Sequence, residues 1–148
     1  MSTALGLTPY PPNTAPQAYD IVYGCFPFEE DPGEPGKPRP CLVLSTKLID
    51  GDVPYVVLQV AYGTSKITRS LERYNRVDYL RVHNYEALDR AGLSKDTLFV
   101  LARIKRLMWS QEWFPTIPKF GTPIMGRLTE AHITELQLLR EIRASRQK

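Results

Sequence analysis

The alternation of apolar and polar positions predicts strands for most of the chain and a helix at its end. Ile21, Tyr23 and Cys25 alternate with Val22, Gly24 and Phe26, and Cys41 to Leu44 is a short apolar run. Both patterns are those of strands. The intervening stretch 29–38 holds Pro32, Gly33, Pro35, Gly36 and Pro38 and cannot continue either one. Asp50-Gly51-Asp52 predicts a hairpin turn between the runs Leu42–Ile49 and Tyr55–Tyr62. Val56, Val57, Leu58 and Val60 make the second run the most β-prone of the chain. Gly63-Thr64-Ser65-Lys66 then marks a strand end or a bend. Tyr79 to His83 predicts another strand, and Asn84 caps a short helix that carries Ala87 and Leu88 and stops at Gly92. Phe99, Val100, Leu101, Ile104 and Leu107 predict a strand over Leu98–Leu107, and Trp109–Thr122 reads as a loop with buried aromatic anchors. Thr129 caps a closing helix, with Glu130 in its first turn and Ile133, Leu136, Leu139 and Ile142 along one side. Arg140, Arg143, Arg146 and Lys148 lie near its end, where cations suit the helix dipole. The order predicts a mainly β domain: a small curled barrel with a short inserted helix and a terminal amphipathic helix.

Residues 1–18 carry no charged side chain and include Pro9, Pro11, Pro12 and Pro16. This predicts an extended, poorly fixed arm, laid over the domain by Leu7 and Tyr10. The remainder, 19–148, reads as one domain, a size that buries most of its unfolded surface. No stretch is long and apolar enough to span a bilayer, and Met1–Tyr19 has neither the basic start nor the apolar core of a signal peptide, so a cytoplasmic protein is expected. Two cysteines make no disulfide framework and no metal-ligand spacing; Cys25 and Cys41 read as reduced core thiols facing each other across the first hairpin.

A net charge of +3 is too mild to define a partner, but its distribution is uneven. Between Asp20 and Lys37, Asp20, Glu29, Glu30, Asp31 and Glu34 stand against Lys37 alone. Between Lys66 and Arg81 the balance reverses, with Lys66, Arg69, Arg73, Arg76 and Arg81 against Glu72 and Asp78. The second segment permits an anionic ligand.

Three segments carry a family resemblance. "YDIVYGCFPFEEDPGEPGKPRPCLVLS" resembles the opening of the PemK/MazF toxin endoribonucleases: an Asp-Ile-Val strand, a variable loop, an Arg-Pro pair and a second apolar strand. "AGLSKDTLFVLARIKRL" is similar to the family's Gly-Leu segment and its following strand, and "IMGRLTEAHITELQLL" to its Gly-Arg-Leu-Ser/Thr helix start. The sequence departs from the family at Tyr19, where a glycine is usual, and at Val100-Leu101-Ala102-Arg103, where some members carry acid/base-capable residues.

The resemblance implies a compact barrel of the Src-homology-3-like, CcdB/PemK kind, a homodimer, and an antitoxin whose disordered tail covers the RNA groove. It implies metal-independent, cofactor-free, sequence-selective cleavage of single-stranded RNA to 2′,3′-cyclic phosphate and 5′-hydroxyl ends. Arg39 matches the motif arginine, whose guanidinium would stabilise the dianionic phosphorane. Thr64 matches the hydroxyl residue after the third strand, with Ser65 as the alternative. Lys37, Lys66, Arg69, Arg103 and Lys105 are the expected RNA contacts.

Each residue also has a plainer role. Arg39 pairs with Glu29, Glu30 or Asp31; Thr64 and Ser65 close a turn; Lys66, Arg69, Arg73 and Arg76 form a solvated face. Trp109, Trp113 and Phe114 either stack on bases or fill the core. His83 and His132 are the only candidates for a neutral-pH base. His132 sits at the start of the closing helix, away from the expected groove, and His83 lies at a strand end with no partner named by the sequence, so neither is assigned to catalysis. Two other functions compete: a catalytically inactive barrel that binds protein tails, and a CcdB-like poison of a protein target.

Overall fold

The computed structural model describes residues 6–25 and 37–146. Its centre is a six-stranded antiparallel sheet of β1 (Asp20–Gly24), β2 (Arg39–Ile49), β3 (Tyr55–Thr64), β4 (Tyr79–Val82), β5 (Thr97–Met108) and β6 (Ile124–Arg127), in the order β4-β5-β3-β2-β1-β6. Among the described residues three α-helices accompany it: α1 (Ile67–Arg73), α2 (Tyr85–Ala91) and α3 (Glu130–Arg146). The protein is mainly β, as the pattern predicts, and the hairpin turns at Asp50-Gly51. No described helix is long and apolar enough to cross a membrane.

The sheet curls but does not close. Irregular registers between Ile21 and Val22, Val43 and Ser45, and Ala61 and Gly63 are the bulges that bend an antiparallel sheet. Among the described residues β4 and β6 remain its two edges, so the expected small curled barrel is seen here as a curled, open antiparallel sheet. The end of α2 packs on β6 at backbone contact. A Cβ on Gly92, which has φ +72°, would lie 2.2 Å from the Met125 carbonyl oxygen, and one on Gly126 would lie 2.3 Å from that of Arg90. Only glycine allows either approach. Asn84 caps α2 as predicted, its Oδ1 accepting from the Ala87 N–H at 2.9 Å.

Both faces of the sheet are buried. On one, Ile21, Leu42, Ala61, Leu80, Phe99 and Leu101 meet Ile133, Leu136 and Leu139 of α3. Thr129 starts that helix, its Oγ1 accepting from the His132 N–H at 3.3 Å and bonded to His132 Nδ1 at 2.8 Å, so the buried His132 serves the cap. On the other face Val22, Cys41, Val60, Leu98 and Val100 meet the fully buried Trp109 and Phe114. The aromatic segment is therefore core.

The N-terminal arm is fixed more firmly than expected. The Tyr10 N–H donates to the Trp109 carbonyl at 3.0 Å and its hydroxyl to the Phe114 carbonyl at 2.7 Å. Trp109 Nε1 donates to Thr14 Oγ1 at 3.1 Å, and the Thr8 N–H to the Glu112 carboxylate at 2.8 Å. Tyr10 is the anchor, packed on the Trp109 ring at 4.8 Å between centroids; Leu7 belongs to neither core cluster.

Beyond the helices β2, β3 and β5 continue as a three-stranded ribbon. Among the described residues Ser45–Ile49 and Ile104–Met108 each pair with β3 alone. Leu48 is 52% exposed there.

Candidate nucleic-acid interface

The two segments singled out by motif meet because Gly63 has no side chain. A Cβ there would lie 2.9 Å from the Pro40 carbonyl oxygen and 2.9 Å from the Phe99 ring. The start of β2 and the end of β3 can thus run in close contact, and Arg39, Thr64 and Ser65 line one cavity of about 260 Å³. Its other walls are Pro38, Pro40, Leu93, Ser94, Lys95, Thr97 and Met125. A second cavity of about 280 Å³ shares Arg39 and Thr64 and is lined further by Tyr62, Lys66, Arg69, Ser70, Arg73, Tyr74 and Arg103. The two form a furrow that pivots on Arg39 and Thr64. Its described lining contains six cations and no carboxylate or imidazole.

Helix α1 supplies the cationic bank. Lys66 at the N-cap and Arg69, Ser70 and Arg73 of the helix recur at helical spacing, so a short helix and its cap turn three cations to the cavity. Ser70, the buried residue of α1, donates its hydroxyl to the Lys66 carbonyl at 2.8 Å. The Arg103 guanidinium lies 5.9 Å from the Tyr62 ring centre, and that of Arg73 lies 5.5 Å from the Tyr74 ring. Burial, and then the hydrogen bond with Tyr74, hold the Tyr62 phenol above its ordinary pKa despite Arg103. It is a neutral hydroxyl at physiological pH.

Thr64 is 7% exposed, and its Oγ1 accepts from the Lys66 N–H at 3.1 Å. The expected turn closure is therefore present, and it leaves the hydroxyl proton available to donate. Ser65 is exposed at the furrow's edge. Of the expected RNA contacts, Lys66, Arg69 and Arg103 line the furrow. Lys37 and Lys105 line neither cavity; Lys105 pairs with Val60 further along β5. Arg76 is bonded to Glu135 at 2.8 Å and belongs to the clamp on α3. Tyr62, Tyr74 and Lys95 also face the furrow and were not foreseen; the signal for Arg73 was its spacing of seven from Lys66. The suggested partners of Arg39, Glu29, Glu30 and Asp31, lie outside the described residues.

The cysteines are buried beside this site. Cys41 pairs in register with Val22, not with Cys25. Burial, with the neighbouring Cys25 adding to it, pushes the Cys41 thiol up to about 12, which suits an inert core residue. Among the described residues no three His, Cys, Asp or Glu side chains converge as a metal-ligand set.

The Arg-Pro pair opens β2, and the Gly-Leu and Gly-Arg segments are the two that touch at Gly92 and Gly126. No protein-family model matches the chain, and no curated protein matches it either.

Proposed function

We propose that the furrow is the RNA site of a PemK/MazF-like toxin endoribonuclease, on an opened version of that family's barrel. The supporting observation is that Arg39 and Thr64 stand at the junction of two cavities whose described lining is cationic without a carboxylate. In this reaction the 2′-hydroxyl gives its proton to solvent water as O2′ bonds to phosphorus, and the P–O5′ bond breaks as O5′ takes a proton from water. Charge accumulates on the phosphorane oxygens, so fixed donors favour the transition state over the ground state. Arg39 offers two parallel N–H donors and keeps its charge; the Thr64 hydroxyl adds a third. Lys66, Arg69 and Arg103 hold the flanking phosphates. The reading carries with it a homodimer and an antitoxin with an acidic, disordered tail.

Purified protein in the presence of a chelator should cut mixed single-stranded RNA into fragments with 5′-hydroxyl and 2′,3′-cyclic phosphate ends. Intact RNA after prolonged incubation would overturn the reading. The lack of a described carboxylate or imidazole in the lining favours one alternative, a furrow that binds without cutting. Expression without a partner separates the two, because a nuclease arrests growth and a binding module does not.

A further inference from the structure

The two halves of the furrow differ in chemistry. The half along α1 is a bank of cations, suited to phosphate. The half between β2 and β6 is framed by Pro38, Pro40, Leu93 and Met125, with Ser94 and Lys95 at its rim. A nucleobase needs apolar walls for its ring faces and a polar rim for its edge. Resting on the RNA-site reading above, we propose that this half is a base-reading pocket in which Lys95 selects a keto base, guanine or uracil.

The loop that carries Lys95 is built to present a donor there. Gly92, in its left-handed conformation against Met125, sets the turn that brings Leu93 to the cavity wall. The Leu93 N–H donates to the Leu88 carbonyl at 2.8 Å, holding the loop to α2. Thr97 Oγ1 donates to the Lys95 carbonyl at 2.8 Å, which fixes the backbone under the side chain. The loop's one carboxylate, Asp96, is gripped at both oxygens by Arg81, at 3.1 and 2.7 Å, and does not line the cavity. Its charge is thus taken up by Arg81. An ammonium has donors only, so it pairs with the O6 and N7 of guanine or the O4 of uracil. Adenine and cytosine turn an exocyclic amine toward the same edge.

The test uses fluorescent oligoribonucleotides with a 2′-fluoro group at the central linkage, which removes the attacking hydroxyl, and with the two central bases varied. Binding is measured by anisotropy for the wild type, Lys95→Ala and Arg69→Ala. The expected result is about a tenfold preference for guanine or uracil over adenine or cytosine at one central position. Lys95→Ala abolishes that preference, whereas Arg69→Ala weakens all oligonucleotides alike and keeps it. A wild-type protein without preference, or a Lys95→Ala variant that retains it, overturns the base pocket and leaves the RNA reading standing. No binding of any oligonucleotide overturns both.

Discussion

Two arginine-rich regions of this molecule put the same side chain to different uses. On the α3 side, arginines are cross-links: Arg76 binds Glu135, Arg143 binds Asp78, and Arg127 binds Asp20 at 3.0 Å and the Ala18 carbonyl at 3.0 Å. In the furrow, Arg39, Arg69, Arg73 and Arg103 face cavities whose described lining holds no carboxylate. The contrast lies in the described surroundings: carboxylates in one region, a cation-lined concave wall in the other. Cross-strand and helix-face carboxylates turn an arginine into a structural tie, while a shared concave wall of cations invites a polyanion. Sequence position alone does not separate the uses, since Arg73 and Arg76 lie within one turn of chain.

The largest expected effect tests that contrast directly. On the proposed endoribonuclease reading, Arg39→Ala should lower the initial rate of RNA cleavage by at least about a hundredfold, with the folded structure retained. Arg127→Ala should leave that rate within about threefold and instead cost about 1 kcal/mol of stability in urea titrations, because the pair is only partly buried. Equal losses of rate in both variants would erase the distinction.

Next in size is the contact that seals the open side of the sheet. Gly126→Ala should cost about 1–3 kcal/mol, measured by thermal or denaturant melting, because the neighbour that must move is backbone. Unchanged stability would mean that α2 and β6 are not held together as described.

A smaller effect concerns Tyr19. Its φ is +79°, and it is the one non-glycine residue in the left-handed region among those described. Its N–H donates to the Val43 carbonyl at 2.7 Å, its own carbonyl accepts from Leu128, and its ring lies 5.8 Å from the Arg127 guanidinium. These contacts compensate the strain. Tyr19→Gly should therefore be about 1 kcal/mol more stable than Tyr19→Ala, which loses the ring and keeps the strain.

The smallest effect is pH-linked. Burial would raise the Glu112 carboxyl, but hydrogen bonds led by the Thr8 N–H outweigh it and hold the group below 4.5. A depressed folded pKa adds stability above the unfolded value, and that stability fades as pH falls through the folded one. Trp109 fluorescence should report the arm loosening only below about pH 4.5, and Glu112→Gln should flatten the response.

Much of the fold was legible where one local signal dominated. Asp-Gly between β-branched runs marked the β2–β3 hairpin, and Asn84 with Gly92 bounded α2. α1 was hidden because its buried residue is Ser70 and its periodicity lies in charges, not in an apolar stripe. β6 was hidden because it is four residues long, includes Gly126 and has no fully buried member. Openness of the sheet is a matter of edge pairing over the whole topology, which no local pattern records. Motif order singled out Arg39 and Thr64, which both line the two cavities. Tyr62, Tyr74 and Lys95 were not singled out, because strands and loops distant in sequence bring them together.

The ribbon beyond the helices has a consequence for the protein in a crowded solution. Its two margins, at residues 45–49 and 104–106, offer hydrogen-bonding rails unpaired among the described residues, which a second molecule can extend into a fibre. Lys47, Lys105 and Arg106 stand along those rails, so that two molecules aligning their margins bring like charges together. Replacing all three by threonine should turn a stable solution turbid on concentration, with the folding of the domain left intact.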